Sequence, residues 1–317
     1  MRIVVTGARG YVGRAVTRRL LTLAAAGDPV FAGATVTAVD LAAPNSPDQP
    51  GLRPVVGDFG DAEVRRSALV GGVDVLIHLA GVLGGAAEAD YALSRRVNVD
   101  ATLSLFEEVL ALRDGPAPRV VFCSTIAVFG APLPPHIDDA TPPQPVMTYG
   151  VQKLMMEQAL EQFTRRGWID GYALRLPGIV ARADADARQR AAFLNRLFHA
   201  YAGGQSLELP VSAGGATCLM SLTTCVDNLI HAARLPRGLM QRRAFTLPAL
   251  RVTLADLMAG LARSYPDSST RVTYRPDPDL EAQFASFPPL STPIASALGF
   301  RHDGTIANLI RNALTPS

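Results

Sequence analysis

Lysine is almost missing from this chain. Of its thirty basic side chains, twenty-nine are arginine, and Lys153 is the single lysine among 317 residues. Cysteine is scarce too: Cys123, Cys218 and Cys225 are odd in number and show no CxxC spacing, and the five histidines show neither HxxxH nor HExxH. These absences argue against a disulfide framework and against a metal site. No apolar run approaches the roughly 18 residues of a membrane span. The start, MRIVVTGARGYVG, turns glycine-rich after five residues, unlike a signal peptide. The arginines are scattered singly or in pairs, and a net charge of +2 offers no basic field for nucleic acid. A soluble, cytoplasmic protein with neither nucleic-acid nor membrane partners is expected.

What is present is core material. Hydrophobic residues make up 48% of the chain and charged ones 18%, far from a disordered composition. Strands are expected at Ile3–Thr6, Thr35–Asp40, Pro54–Gly57, Val73–Leu79, Val120–Ser124 and Gly171–Leu176. Helical patterns lie between them, at Gly10–Ala25, Ala62–Leu69, Ala92–Leu112 and Tyr149–Arg165. Continuous apolar strands separated by helices predict a parallel sheet covered on both faces. After Pro177 the rhythm breaks. A helix over Arg188–Tyr201, strand-like LELPV and TCLMSL, a helix in TCVDNLIHAARL and a last helix near Thr305–Ala313 follow. The proline-rich stretches 132–145 and 276–293 read as loops. The fold class expected is α/β: a doubly wound parallel Rossmann sheet over residues 1–175, then a smaller C-terminal substrate-binding lobe, mainly 176–317. A ligand belongs at the carboxyl ends of the strands, in the crevice between lobes.

The first strand leads into VVTGARGYVGRAV. Gly7, Gly10 and Gly13 let the backbone turn tightly and approach a pyrophosphate, whose charge the helix N-terminus, with Tyr11 and Val12 in it, would meet. Asp40 ends the second strand, where a carboxylate accepts from both ribose hydroxyls and repels a 2′-phosphate, favouring NAD over NADP. Arg9 is the counter-signal, because a guanidinium could bind that phosphate; otherwise it is a solvated loop charge. Asp58, followed by Phe59, is placed either to touch the adenine amino group or to cap the next helix.

The lone lysine stands four residues after Tyr149 in TYGVQK. With seven tyrosines in the chain, chance alone would put it there about 2% of the time. On a helix, residues four apart share a face. A phenol is a poor base at neutral pH, but an ammonium about 4 Å away would stabilise the phenolate by up to ~4 kcal/mol. Such a phenol takes the proton of an alcohol whose hydride leaves. Ser124 and Thr125, leaving the fifth strand, are candidates to orient the substrate hydroxyl.

Together, TGARGYVG, HLAG (78–81), VNVDAT (97–102), CSTIAVFG and YGVQK resemble the extended short-chain dehydrogenase/reductase family, which includes NAD-dependent epimerases and dehydratases. ASALGFRHDGTIANLI near the end resembles that family's closing segment, so the likeness covers nearly the whole chain. It implies Tyr149 as acid/base, Thr125 at the Ser/Thr position, and Lys153 holding the nicotinamide ribose. It also implies cofactor contacts from Leu79, Ala80 and Gly81, and from Pro177 and Gly178 beside the nicotinamide. Asn98 would support the active-site lysine; the plainer reading is a helix side chain bonded to backbone. For His78 the better reading is a satisfied strand histidine. The helices near Ala92–Leu112 and Tyr149–Arg165 would pair in a homodimer, with Met155 and Met156 either on that face or in the core.

Departures narrow the reaction. Where sugar-nucleotide dehydratases of the family carry an Asp–Glu pair after the Thr, this chain has Ile126 and Ala127, which transfer no protons. Where epimerases and dehydratases commonly have Asn three residues after the arginine of the sixth strand, this chain has Gly178 after Arg175. STIAVFGAPLP, TRRGWIDGYALRLPGIV and LELPVS are similar to the D-erythronate dehydrogenase group, which oxidises the 2-hydroxyl of a small sugar acid. ATCLMS (216–221) lacks the basic or aromatic contacts expected before the Ser of MSLTT. Arg182 is the candidate partner for a substrate carboxylate, a surface arginine being the alternative. The expected activity is an NAD-dependent dehydrogenase acting on a small carbohydrate. A nucleoside-diphosphate-sugar epimerase is the runner-up, and a non-catalytic NAD-sensing regulator is remote.

Overall fold

A computed structural model of the chain describes residues 1–113, 115–130, 132–182, 192–238 and 242–314. In chain order the elements are β1 (Arg2–Thr6), α1 (Tyr11–Ala25), β2 (Thr35–Asp40), β3 (Leu52–Val56), α2 (Ala62–Ala68), β4 (Val75–His78), α3 (Gly84–Ala89), α4 (Tyr91–Arg95), a π-helical segment Arg96–Ala101, α5 (Thr102–Ala111), β5 (Arg119–Thr125), α6 (Thr148–Arg165) and β6 (Asp170–Leu176). There follow β7 (Gly178–Val180), α7 (Ala192–Gly203), β8 (Leu207–Leu209), β9 (Ala216–Ser221), α8 (Leu222–Arg234), β10 (Ala244–Thr246), β11 (Leu250–Thr253), α9 (Leu254–Ser264), β12 (Val272–Tyr274), α10 (Pro278–Phe284), α11 (Pro293–Ala297) and α12 (Ile306–Leu314).

Seven strands form the main sheet in the order β10-β6-β5-β4-β1-β2-β3. The pairs β1–β2, β1–β4, β2–β3 and β4–β5 are parallel. β4 is buried along its whole length and β5 along all but its last residue, which is why both read as unbroken apolar runs. The order steps outward from β1 in both directions, the doubly wound arrangement expected from the alternating pattern. Phe106, Phe122 and Leu160 pack against Val4, Leu76 and Ala173 in its core. β10, a three-residue strand, adds an edge that the periodicity does not announce. The π-helical segment splits the single helix expected over Ala92–Leu112.

Two compact units divide the chain. The first comprises Met1–Thr125, Met147–Arg175 and Val226–Phe245, and the second Ile126–Val146, Leu176–Cys225 and Thr246–Ser317. The second holds a three-stranded sheet in the order β11-β9-β7, a β12–β8 pair, and a core around Phe198, Leu209, Leu219, Leu257 and Ile310. The helix expected from Arg188 begins its described part at Ala192; residues 188–191 lie outside the described residues.

The two proline-rich stretches are tied together inside the second unit. Ile137 donates to the Pro289 carbonyl and accepts from Ser291, while Asp139 accepts from the Ile294 amide. The later stretch is not all loop. Asp277 caps α10 by accepting from Asp279 and Leu280, and Pro278 occupies its first turn, where a missing N–H costs nothing. Among the described residues, no helix is long and apolar enough to cross a membrane.

Candidate active site

The loop after β1 is held by contacts that only glycine permits. Gly7 has φ +68°, and a Cβ there would stand 2.8 Å from the Ala80 amide nitrogen. A Cβ on Gly13 would stand 2.0 Å from the Gly7 carbonyl oxygen. Gly10 precedes α1 with no side chain capping it, and the first turn carries no acidic residue. The opening of α1, with Val12 and Gly13, thus presents backbone donors and the positive end of the helix dipole, as a pyrophosphate requires.

At the end of β2, Asp40 accepts from the Arg9 amide at 2.8 Å and from the Leu41 amide at 2.8 Å. Arg9 turns its guanidinium to the Ala43 carbonyl, at 2.6 Å. The carboxylate braces the loop and the guanidinium is anchored beside it. Asp58 accepts from the Gly60 amide at 2.7 Å and from Arg96 Nη2 at 2.5 Å. The Arg96 hydrogen bond holds its carboxyl below the usual carboxylate value, against burial that raises it. The cap of α2 is Asp61 rather than Asp58, so that alternative is corrected: Asp58 closes its own turn and pairs with Arg96. Phe59 is buried, its ring 5.1 Å from that of His78.

Register places Thr6 of β1 beside His78 of β4. The Thr6 hydroxyl accepts from the Leu79 and Ala80 amides, each at 3.2 Å, so its own proton goes to His78 Nδ1 at 2.6 Å. Nε2 then carries the ring hydrogen and donates to Thr102 Oγ1, whose proton goes to the Val97 carbonyl. Burial holds the imidazole well below its usual pKa, the nearby Lys153 charge adding in the same direction, so His78 is neutral. It is a structural tie, as its sequence setting indicates, and it fixes Leu79, Ala80 and Gly81 onto β1.

Asn98, in the π-helical segment, accepts from the Val82 amide at 2.8 Å and donates to the Val82 carbonyl and to Gln152 Oε1. It therefore bonds backbone, the plainer of its two readings, and adds a bridge to α6. The Gly81 position is enclosed: a Cβ there would stand 3.1 Å from Asn98 Oδ1 and 3.6 Å from Lys153 Nζ.

α6 presents Tyr149, Lys153 and Glu157 at successive turns of one face. Its N-terminus is capped from outside, because Glu88 of α3 accepts from the Thr148 amide and hydroxyl. A carboxylate there also suits the helix dipole. Lys153 is 3% exposed, with Nζ 4.5 Å from the Phe122 ring centroid and 5.7 Å from that of Tyr149. Burial lowers its pKa to about 8, with Cys123 and Glu157 opposing. Burial also pushes the Cys123 thiol up to about 12, so that thiol is neutral near pH 8 and the opposing charge is that of Glu157.

The Tyr149 phenol moves the other way from the sequence expectation. Burial raises it above its usual value, with Cys123 adding in the same direction, and the lysine does not offset this. The side chain keeps part of its surface exposed, so its desolvation is incomplete. The physical reason for the difference is that desolvation of the phenol outweighs an ammonium lying over the ring face.

Ser124 does not face an open site. It is 2% exposed and donates to Glu157 Oε1 at 2.5 Å, so the expected substrate contact is corrected: its hydroxyl is committed inside the fold. Thr125 ends β5 directly after it. Glu157 is fully buried and paired with Arg175 of β6, Nη2 to Oε2 at 2.7 Å. Sequence reasoning missed Glu157, Glu88 and Arg96, since an acidic or basic side chain in a helical pattern reads as a solvated face. Of the two methionines on α6, Met156 is core and Met155 is half exposed.

In the second unit, Pro177 precedes β7 and Gly178 begins it, where a Cβ would stand 3.1 Å from Leu219 Cδ2. The Arg182 amide donates to Asn195 Oδ1 at 2.7 Å.

Comparison with known proteins agrees with this geometry. The family described as NAD dependent epimerase/dehydratase matches residues 3–217. A D-erythronate dehydrogenase from Cupriavidus necator is 35% identical over 317 residues, covering 98% of this chain and 97% of that protein. A protein of the same name from Haemophilus influenzae is 28% identical over 315 residues, covering 98% of each. Among solved structures, a nucleoside-diphosphate-sugar epimerase from Agrobacterium tumefaciens superposes with TM-score 0.88 at 30% identity, over 98% of this chain and 92% of that one.

Proposed function

Since this chain belongs to the NAD-dependent epimerase/dehydratase family and is an NAD-dependent dehydrogenase, we propose that it oxidises a secondary hydroxyl of a small sugar acid, D-erythronate or a near relative. The observation that carries the substrate class is the full-length similarity to two proteins named D-erythronate dehydrogenase. The residues at the loop fit the cofactor. Gly7, Arg9, Gly10, Tyr11, Val12 and Gly13 would hold its pyrophosphate, Asp40 its adenosine ribose, and Asp58 with Phe59 its adenine. Leu79, Ala80 and Gly81 would line it by backbone, with Pro177 and Gly178 by resemblance beside the nicotinamide. When bound, NAD accepts the hydride.

Tyr149 takes the proton of the substrate hydroxyl and Thr125 orients that hydroxyl. A phenol raised by burial needs nearby positive charge to act near neutrality. The Lys153 ammonium, its Nζ 5.7 Å from the centre of the phenol ring, is the positive charge at hand. With a pKa of about 8, Lys153 is still mostly ammonium at pH 7. It would also hold the nicotinamide ribose, while Asn98 steadies the turn after Gly81. Arg182 is our candidate for the substrate carboxylate.

A second reading, epimerisation of a nucleotide sugar, is favoured by the 30% identical structure titled as such an epimerase. Ile126 and Ala127 argue against dehydration, since neither side chain transfers a proton. A non-catalytic NAD sensor is the remote alternative, disfavoured by the retained Tyr149 and Lys153. We also propose a homodimer through α6 and the helical stretch from α4 to α5, near Ala92–Leu112. Val151 and Met155 on α6 and Tyr91 and Leu93 on α4 are exposed apolar side chains suited to that face.

Screening the purified protein with NAD against four- to six-carbon sugar acids and against nucleotide sugars separates the first two readings. Tyr149→Phe tests the chemistry: NAD binding survives and turnover falls at least about a hundredfold, as for loss of a general base. Undiminished turnover would sink the mechanism.

A further inference from the structure

The proposed mechanism leaves unused a buried network one helical turn beyond Lys153. Glu157 Oε1 accepts from Ser124 Oγ at 2.5 Å and from Arg175 Nε at 3.0 Å, while Oε2 accepts from Arg175 Nη2 at 2.7 Å and Nε at 3.2 Å. One carboxylate therefore ties α6 to the carboxyl-terminal ends of β5 and β6. A buried ion pair is weak evidence of stabilisation, because well-packed apolar residues of similar volume often serve as well. What the pair does supply is position. Ser124 is bonded to Thr125, and Lys153 is the i–4 neighbour of Glu157 on the same helix face.

We propose that Glu157 is a positioning residue for this site: anchored by Arg175, it fixes through Ser124 the strand end that carries Thr125, and it supplies a counter-charge to Lys153. The proposal rests on the reading of Thr125, Tyr149 and Lys153 given above. The groups around the Lys153 ammonium leave little else for this role. From β5 come the Phe122 ring and the Cys123 thiol, and from β4 comes His78; all three are uncharged near neutrality. From the π-helical segment comes the Asn98 amide, and α6 itself adds the Tyr149 phenol. The Glu157 carboxylate is a charged group acting on Lys153, and it opposes the effect of burial.

The lone lysine makes this measurable without a substrate. Protein grown on 13C-labelled lysine gives one side-chain signal set, that of Lys153, whose titration is read directly. Glu157→Gln keeps an acceptor for Ser124 and removes the charge. If unpaired Arg175 unfolds that variant, the paired replacement Glu157→Gln with Arg175→Met is compared with Arg175→Met alone, so that the two proteins differ only in the Glu157 charge. In Glu157→Gln the Lys153 midpoint falls by about one unit from its wild-type value, and in the paired replacement by about one unit from that of Arg175→Met, as expected for losing one counter-charge a helical turn away.

Ser124→Ala separates the second arm. It leaves the Lys153 midpoint and NAD affinity unchanged, while kcat falls about tenfold, part of the roughly hundredfold attributed to a 1 Å misplacement. Thermal melting of each variant checks that the fold is retained. A lysine midpoint unmoved by loss of the Glu157 charge alone would overturn the proposal, as would wild-type kcat in Ser124→Ala. If the wild type does not oxidise D-erythronate, the proposed function fails on its own, and the lysine titration still decides this inference.

Discussion

Replacing Gly13 by alanine would set a methyl carbon 2.0 Å from the Gly7 carbonyl oxygen and 2.8 Å from both Ala8 Cα and the Gly7 carbonyl carbon. All three atoms are backbone, so no side chain can swing away. A shift of at least about 1 Å between the loop and the first turn of α1 is needed to reach even the shortest tolerable contact. Forcing an extra methyl into packed structure typically costs about 1–3 kcal/mol. The displacement falls where the pyrophosphate is expected, and a 1 Å misplacement of positioned groups is worth about a hundredfold. NAD affinity should therefore drop by about 10- to 100-fold, measured by calorimetric titration, with a lowered melting temperature. Gly84→Ala in α3 is the control, because nothing stands within 4 Å of its Cβ and a helical site gains slightly from alanine. A Gly13→Ala protein that binds NAD like the wild type would refute the assignment of this loop to the cofactor.

Lys153→Arg keeps the charge, yet a planar fork cannot take the place of a compact ammonium enclosed by Gly81, Asn98 and Phe122. Weaker NAD binding and a basic limb of the pH–rate profile displaced upward are expected, and Lys153→Met should do worse; near-normal behaviour of the arginine variant would make the lone lysine an accident of composition. Asp40→Ser should relax the preference for NAD, in kinetics with both cofactors, by removing the carboxylate that would bind the ribose and repel a 2′-phosphate. A wild type that already prefers NADP would mean that Arg9 leaves the Ala43 carbonyl for that phosphate. Burial holds the folded pKa of His78 well below the usual value of 6.5, so below about pH 6.5 the unfolded chain binds the extra proton. Stability from this residue is complete above that pH and declines as pH falls, by up to about 1.4 kcal/mol per unit. Denaturant melts between pH 5 and 7 should show a shallower decline in His78→Gln; an unchanged slope would contradict the neutral assignment.

Where local pattern and tertiary role coincide, the sequence was informative. β1, β4 and β5 are apolar on both faces, and α6 was placed to within one residue of its first turn. The glycine loop was legible because backbone contacts as close as that of Gly13 leave no other residue type available. Glu157 was not, since its partners lie 33 residues before and 18 after it, and nothing local distinguishes a buried glutamate from a solvated one. β10 was missed because three residues carry no period. α10 is hidden within the proline-rich stretch 276–293, which reads as loop, although an Asp at the cap and a Pro in the first turn are a helix start. The rise of the Tyr149 phenol was missed because spacing gives a charge its neighbour but says nothing of how dry the neighbourhood is.

The edge strand β10 also has a consequence for the order in which the protein comes into being. Arg119, at the start of β5, is buried with its guanidinium bonded to Asp170 and to the carbonyls of Ala232 and Leu235, and Asp170 in turn pairs with Arg243. On the ribosome, β1 to β6 emerge long before those last partners do. Until residue 235 is made Arg119 lacks the two carbonyls that satisfy it, and until residue 246 is made the β6 edge lacks β10. The nascent first unit is thus left with an open edge and a cation short of acceptors while the intervening segment is translated, and its sheet closes only when the chain returns.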